Sequence, residues 1–437
     1  MLAACNTLAR LECVTGLPLR SVRPAGRVDG VRLPKAKEGR GTMFLTQCAV
    51  CASDLGLTRG KKCGRCSTRY CGPACQKQHW QEFGHDQLCK RIKKEGGAEQ
   101  YNANTRYTAA VSIAAEACAE DTKGQTCHIC TQALHWKTKE GLVRMCGCSG
   151  TSGFAHVSCL EEQAKILVAE AEENNKDPQW HRWHKCGLCE QDYYGIVRCA
   201  LGWACWKTYL GRPETDGHRT AAISELGNGL LEIGQYDDAL SVKETHLATL
   251  RRLDADKQNI LDVQGNLAVT YATLERYELA LRMKRIVYYG YLRLKGKEHT
   301  DTLISANNYA DALIQQERYK TVMSLLRETL PIARRVLEES DETMLRLRVN
   351  YARALCVVSA DAVTGTSLDD LREAVTTLEE SERTARRVFR GTRPEPRWLG
   401  AHPFVEQVEY FLRESRGLLH KKRKTEATPS PRNSTLS

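Results

Sequence analysis

Eight cysteine and histidine residues in four short pairs constrain residues 127–189 more tightly than any other pattern in the chain. The pairs are Cys127-x2-Cys130, Cys146-x-Cys148, His156-x2-Cys159 and Cys186-x2-Cys189. Zinc takes four such ligands tetrahedrally, and two ligands two or three residues apart come from one tight turn. Four pairs therefore make two closed sites. A second set lies upstream: Cys48-x2-Cys51, Cys63-x2-Cys66, Cys71-x3-Cys75 and His85-x3-Cys89. The chain is expected to hold about four zinc ions.

Twenty cysteines would also suit a secreted disulfide scaffold. CxxC pairs mixed with histidine point instead to reduced, metal-bound thiols, and the N-terminus lacks the apolar core and cleavage site of a secretory signal. An intracellular protein is expected, cytoplasmic or nuclear. The formal charge of +11 counts every cysteine as neutral. Ionising the ligand thiols around four divalent ions lowers it to about +5. That is too mild to argue for a nucleic-acid partner. No stretch reaches the eighteen or so apolar residues of a membrane helix. The nearest, Ile196 to Trp206, is short and interrupted by Arg198.

Residues 43–92 resemble the MYND zinc finger. Tyr70-Cys71, Cys75-Gln76, His79-Trp80 and the closing His85-x3-Cys89 carry the resemblance. It implies interleaved sites, with Cys48, Cys51, Cys71 and Cys75 on one ion and Cys63, Cys66, His85 and Cys89 on the other. His79 competes with His85, and only His85 keeps the x3 spacing to Cys89. A finger this small has no core of its own, so metal supplies its folding energy. The family binds short proline-containing peptides, which assigns partner contacts to Gln76 and Trp80. Gly72 departs from the family's usual Ser.

The central cluster resembles the RING-CH (RING-variant) finger through its ligand order and the segment Cys146-Gly-Cys148-Ser-Gly-Thr-Ser-Gly-Phe-Ala-His156-Val-Ser-Cys159-Leu160. Cross-brace topology would put Cys127, Cys130, His156 and Cys159 on one ion, and Cys146, Cys148, Cys186 and Cys189 on the other. Such fingers act as ubiquitin ligases by holding a loaded conjugating enzyme so that its thioester is aligned. Ile129 and Leu188, between paired ligands, are the expected apolar contacts, with Trp180 or Trp183 lining a groove. Three departures lean away from ligase: Gln163 in place of a Trp, Gly187 in place of a Pro, and Glu190 where active RING ligases often carry a basic residue. His128, His135, His181 and His184 lack ligand-pair spacing and read as surface or packing residues. Cys118, Cys199 and Cys205 read as small buried residues.

From residue 219 the chain repeats itself. Ala239, Ala280, Val322 and Ala374 share one slot at steps of 41, 42 and 52 residues, and Asn266, Asn308 and Asn350 share another at steps of 42. Tyr236, Tyr277 and Tyr319 mark the turn inside each unit. The pattern resembles tetratricopeptide repeats (TPRs) of the kinesin-light-chain type, implying four helix pairs and a capping helix near Phe404 to Leu419. Gly227, Ala268, Ala310 and Ala352 would let paired helices approach closely. The three asparagines would lie on the helices lining a concave groove, there either to hydrogen-bond a peptide or to satisfy neighbouring repeats.

The expected fold is mostly α: two small zinc-stabilised cross-brace fingers followed by an α-solenoid of TPR-like helix pairs. The domains are a disordered basic leader (1–42), the MYND-type finger (43–92), a partly helical linker (93–126), the RING-CH-like finger with its C-terminal helix (127–210), the solenoid (219–419) and a disordered basic tail (420–437). The expected function is a protein-interaction adaptor whose finger and groove bind proteins or peptides. The alternative is an E3 ubiquitin ligase that recruits substrate through those surfaces and also binds a ubiquitin-conjugating enzyme.

Overall fold

Helix formation dominates because long stretches carry apolar residues at three- and four-residue spacing with few internal breakers. The computed structural model describes residues 48–51, 53, 55, 60–174, 179–360, 368–388 and 403–427. The leader, and the tail beyond 427, lie outside them. The described chain forms two compact units that divide at Leu274 and Glu275.

The first unit opens with the small upstream finger. Strands β1 (Lys61–Lys62) and β2 (Arg69–Tyr70) pair antiparallel, Lys61 opposite Tyr70. Helix α1 (Pro73–Glu82) starts on proline, whose missing N–H would be unpaired there anyway. Gly84, at φ 67°, turns the chain into α2 (His85–Lys94) in the left-handed region that glycine enters without cost. A small core of Cys48, Leu55, Tyr70, Cys89, Ile92 and Ala98 closes this finger.

Next comes α3 (Ala98–Ala117), which packs against α5 (Gly195–Tyr209). Segment 93–126 is therefore no linker, since Ala103, Ala110, Val111 and Ala114 are buried. Their small side chains give a weak amphipathic signal in sequence but allow close helix contact. The central finger follows, with α4 (Val157–Glu173) and a 3-10 turn at Trp180–Trp183. Helix α5 is apolar on all sides, the pattern of a helix with no solvent face. It is covered by α3, α4 and α6 (Gly217–Glu232). A Cβ added at Gly202 would lie 2.9 Å from the Glu225 carbonyl oxygen, and one at Gly229 the same distance from Cys199 Cα. Only glycine permits this α5–α6 crossing.

Helix α6 begins on Asp216, whose carboxylate accepts from the His218 and Arg219 backbone N–H groups. It pairs with α7 (Tyr236–Arg252), and α8 (Lys257–Thr273) follows. One continuous core runs from Ala103 through the central finger and α5 to Ala239 and Val242. The boundary expected between 210 and 219 therefore divides no core, since buried residues continue across it. Finger and first helix pair share a single interior.

The second unit contains α9 (Tyr277–Lys295), α10 (Thr300–Gln315), α11 (Tyr319–Val336), α12 (Glu342–Ala360), α13 (Leu368–Val388) and α14 (Pro403–Ala427). Successive helices pack in order around Leu313, Leu326, Met344, Leu355 and Leu378. Tyr236, Tyr277 and Tyr319 each begin a second helix, as the repeat predicts. Helix α14 caps the array but runs on to Ala427, so the basic run His420 to Lys424 is helical rather than disordered.

Candidate metal centres and partner surfaces

The four ligand sets that the two resemblances imply are the four that the fold brings together. In each, one ligand atom per residue lies within 4.8 Å of all the others. Zinc–thiolate bonds of about 2.3 Å in a tetrahedron need sulfur atoms about 3.8 Å apart. Observed separations match: Cys51–Cys71 3.5 Å, Cys63–Cys89 3.8 Å and Cys148–Cys186 3.7 Å. The mutual effect of the thiols points the same way. Their hydrogen bond pushes the Cys146 thiol well up and pulls Cys186 down to about 4. Four adjacent thiols cannot all ionise unless a cation balances them. The residues fit four zinc ions, each site closed by four protein ligands.

The two histidine ligands use different nitrogens. His156 turns Nδ1 toward Cys130 and Cys159, at 3.4 and 3.6 Å, while its Nε2 points at the Ala133 carbonyl oxygen, 3.4 Å away. That outer contact fixes the ring, as is usual for metal-bound histidine. His85 turns Nε2 toward Cys66 at 3.4 Å. His79 is instead held by the Tyr70 hydroxyl, 2.9 Å from its Nδ1, and burial beside His85 pushes its pKa down to about 4. Of the two histidines, His85 is the one that lies in the four-residue cluster with Cys63, Cys66 and Cys89. Tyr70 was the signal, since a phenol one residue before a ligand can occupy a neighbouring imidazole.

The expected partner contacts divide. Trp80 is 44% exposed on α1, with Gln76 partly exposed one turn earlier. Ile129 is 37% exposed and Leu188 53%, both on ligand turns. Leu134 and Trp136, on the loop after Cys130, are also exposed and were not anticipated. Trp180 and Trp183 are buried against Tyr209 and line no groove. Among the asparagines, Asn266 is buried. The Asn350 amide donates to Asn307 Oδ1 (3.0 Å) and accepts from Arg353 (3.3 Å), tying α12 to α10. The inter-repeat role therefore describes Asn350. Asn308 is partly exposed, and its Oδ1 meets no donor.

The three departures from the RING-CH pattern converge. A Cβ on Gly187 would lie 3.8 Å from Gln163 Oε1 and 3.7 Å from Arg182 Nη1. Arg182 in turn donates to Glu190 at 2.9 Å and holds that carboxyl below its ordinary range.

A buried polar cluster behind the finger went unread in the sequence. Glu225 on α6 accepts from Arg198 on α5 at 2.6 Å and lies 3.2 Å from His184 Nδ1. All three are almost fully buried. Burial pushes the Glu225 carboxyl up, but Arg198 and His184 more than offset this and hold it well below the carboxylate range. His184 lies two residues before the ligand Cys186, so the cluster fastens the last zinc site to the first helix pair.

Among the described residues no helix is long and apolar enough to cross a membrane. Solved structures of low identity align with part of the chain. The nearly identical TPR-like repeats of a Podosopora anserina protein, provisionally named a kinesin light chain, align with 54% of this chain and 99% of that one, at 17% identity and a TM-score of 0.37. BtubC (BKLC) from P. vanneervenii aligns with 56% of this chain and 97% of that one, at 16% identity and a TM-score of 0.39. No curated protein matches. Residues 48–89, from the first ligand of the upstream finger to its last, match the MYND finger family.

Proposed function

We propose that the chain is a zinc-stabilised protein-interaction adaptor. The MYND match and the array of helix pairs are modules of that kind. The observation that carries the reading is that all sixteen ligands fall into four closed four-ligand sets. No metal position is left open for substrate or water, so zinc serves the fold rather than a reaction. What the metals would fix in place is a set of exposed apolar side chains, Trp80 on the first finger and Ile129 and Leu188 on the second. Rigid apolar anchors of this kind supply most of the energy of protein recognition. Titrating proline-containing peptides into the zinc-loaded chain and its Trp80→Ala variant tests the first surface. Indistinguishable affinities would count against it.

The exposure of Ile129 and Leu188 supports a second reading, RING-type ubiquitin ligase. The Arg182–Glu190 pair on the same finger, and Gln163 and Gly187 at the positions where a Trp and a Pro are expected, weigh against it. An autoubiquitination assay across a panel of conjugating enzymes decides. Activity that Ile129→Ala abolishes without zinc loss would replace the scaffold reading.

A further inference from the structure

Helix α9 carries large apolar side chains at positions where α11 and α13 carry polar residues or proline. Leu279 is 43% exposed, Ile286 49% and Tyr289 44%. At about 100° per residue, Leu279, Arg282, Ile286, Tyr289 and Arg293 fall within about an 80° arc. That arc lies opposite the buried stripe of Ala280, Lys284, Val287 and Tyr291. It is the solvent face.

The repeat supplies an internal control. In the register that aligns Ala280 with Val322 and Ala374, α11 has Thr321, Glu328 and Pro331 at the three apolar positions, and α13 has Glu373, Glu380 and Arg383. All six are exposed. Nothing in the architecture of a helix pair therefore calls for Leu, Ile and Tyr there. The position of Leu294 behaves differently, because Val336 and Val388 are its exposed apolar counterparts.

Charge selects the partner. Helix α9 has one acid, Glu278, and five bases. Lys284 faces Asp311 at 3.5 Å and Lys295 faces Asp301 at 2.8 Å, whereas Arg282, Arg285 and Arg293 surround the apolar residues. The Arg285 guanidinium lies 5.8 Å from the Tyr289 ring centroid, and Arg293 Nε donates to the Tyr289 carbonyl at 3.3 Å. A second copy of this face would set arginine against arginine. A lipid surface suits a helix whose apolar and basic residues segregate. Here they interleave, and the opposite side of the helix is already buried in protein.

We propose that this face of α9 is a docking site for an acidic, amphipathic segment of another protein. Its apolar side chains would cover Leu279, Ile286 and Tyr289, and its carboxylates would meet the three arginines. This adds a third surface to the adaptor reading and rests on α9 alone.

The test is a phage-displayed library of random 16-residue peptides selected on the full zinc-loaded chain. Counter-selection uses the L279T/I286E/Y289A variant, whose first two changes install the residues α11 already bears. Enriched peptides should carry several Asp or Glu among apolar residues at helical spacing. In fluorescence anisotropy they should bind the parent chain at least about tenfold more tightly than the variant. Added salt should weaken binding, as should R282E/R293E, which also serves as the test if the triple variant fails to fold. Enrichment without acidic residues, equal binding to the variant, or no enrichment overturns the proposal. So does binding to phosphatidylcholine–phosphatidylserine vesicles in place of peptides, which would assign the face to lipid. Peptide binding at Trp80 should be unchanged in these variants, so a failure here is distinguishable from failure of the adaptor reading.

Discussion

Replacing Glu225 by alanine should destabilise the central finger and the first helix pair together. The carboxylate is buried, 2.6 Å from Arg198 and 3.2 Å from His184, so its loss strands a buried guanidinium. Breaking one partner out of such a pair costs about 3–5 kcal/mol. The unit that contains it spans the described residues up to Leu274, and in units near this size each kcal/mol lowers Tm by roughly 2–4 °C. A fall of about 6–20 °C is expected. Near-UV circular dichroism would follow it through the buried Trp183 and Trp203. A chromogenic chelator added during the melt should show zinc released with the same transition, because His184 adjoins the Cys186 site. The companion variant Glu225→Leu/Arg198→Met removes both charges and should recover most of the loss, since apolar replacements of a buried pair are often near neutral. A single variant costing under about 1 kcal/mol, or a double variant as unstable as the single, would refute the idea that this cluster is a coupled buried ion pair.

Other expectations follow from the same geometry. Metal analysis of the folded chain should give about four zinc ions. His85→Ala should lose one of them, whereas His79→Ala should keep all and lose the Tyr70 hydrogen bond, worth about 1 kcal/mol, together with its ring contacts to Tyr70 and His85. His246 is buried, and its pKa is pushed down to about 3 by burial, below the unfolded value of 6.5. A proton therefore binds the unfolded chain first, so this stability is complete above about pH 6.5 and declines as pH falls toward 3. At pH 5.5 the loss is about 1.4 kcal/mol. Denaturant titrations of His246→Phe should lack this increment, and an identical pH dependence in both proteins would contradict it. Gly229→Ala should cost about 1–3 kcal/mol through its 2.9 Å approach to Cys199 Cα, read as a lower Tm. A neutral result would mean that α5 and α6 can separate.

The ligand pairs were legible because ligand spacing is local information, and their grouping into four sites came from resemblance to known fingers. Two cysteines three residues apart report on one turn wherever the chain goes next. The helix pairs were legible for a related reason: repetition of Ala239, Ala280, Val322 and Ala374 compares the chain with itself and needs no knowledge of what packs where. Packing partners were not legible. Ala-rich α3 has little contrast between its faces, and α5 is apolar all round, so neither sequence shows which neighbour covers it. Trp180 and Trp183 illustrate the cost, since an aromatic near zinc ligands suits a groove or a core equally until the position of Tyr209 is known. Glu225, Arg198 and His184 are separated by up to 41 residues and carry no periodic signature. Asn350 showed the repeat position but not the partner, Asn307, that occupies its amide.

The interior shared by the central finger and the first helix pair also bears on how such a chain can be recombined. A gene segment ending near residue 210 would encode the zinc ligands in full and still carry α5 without α6. Leu201 and Trp203, fully buried in the intact chain, belong to a helix that relies on α6 for part of its cover. The smallest piece that can move between proteins with its apolar surface covered therefore runs from α3 through α7. Exchange of this finger is then exchange of a finger with a helix pair attached.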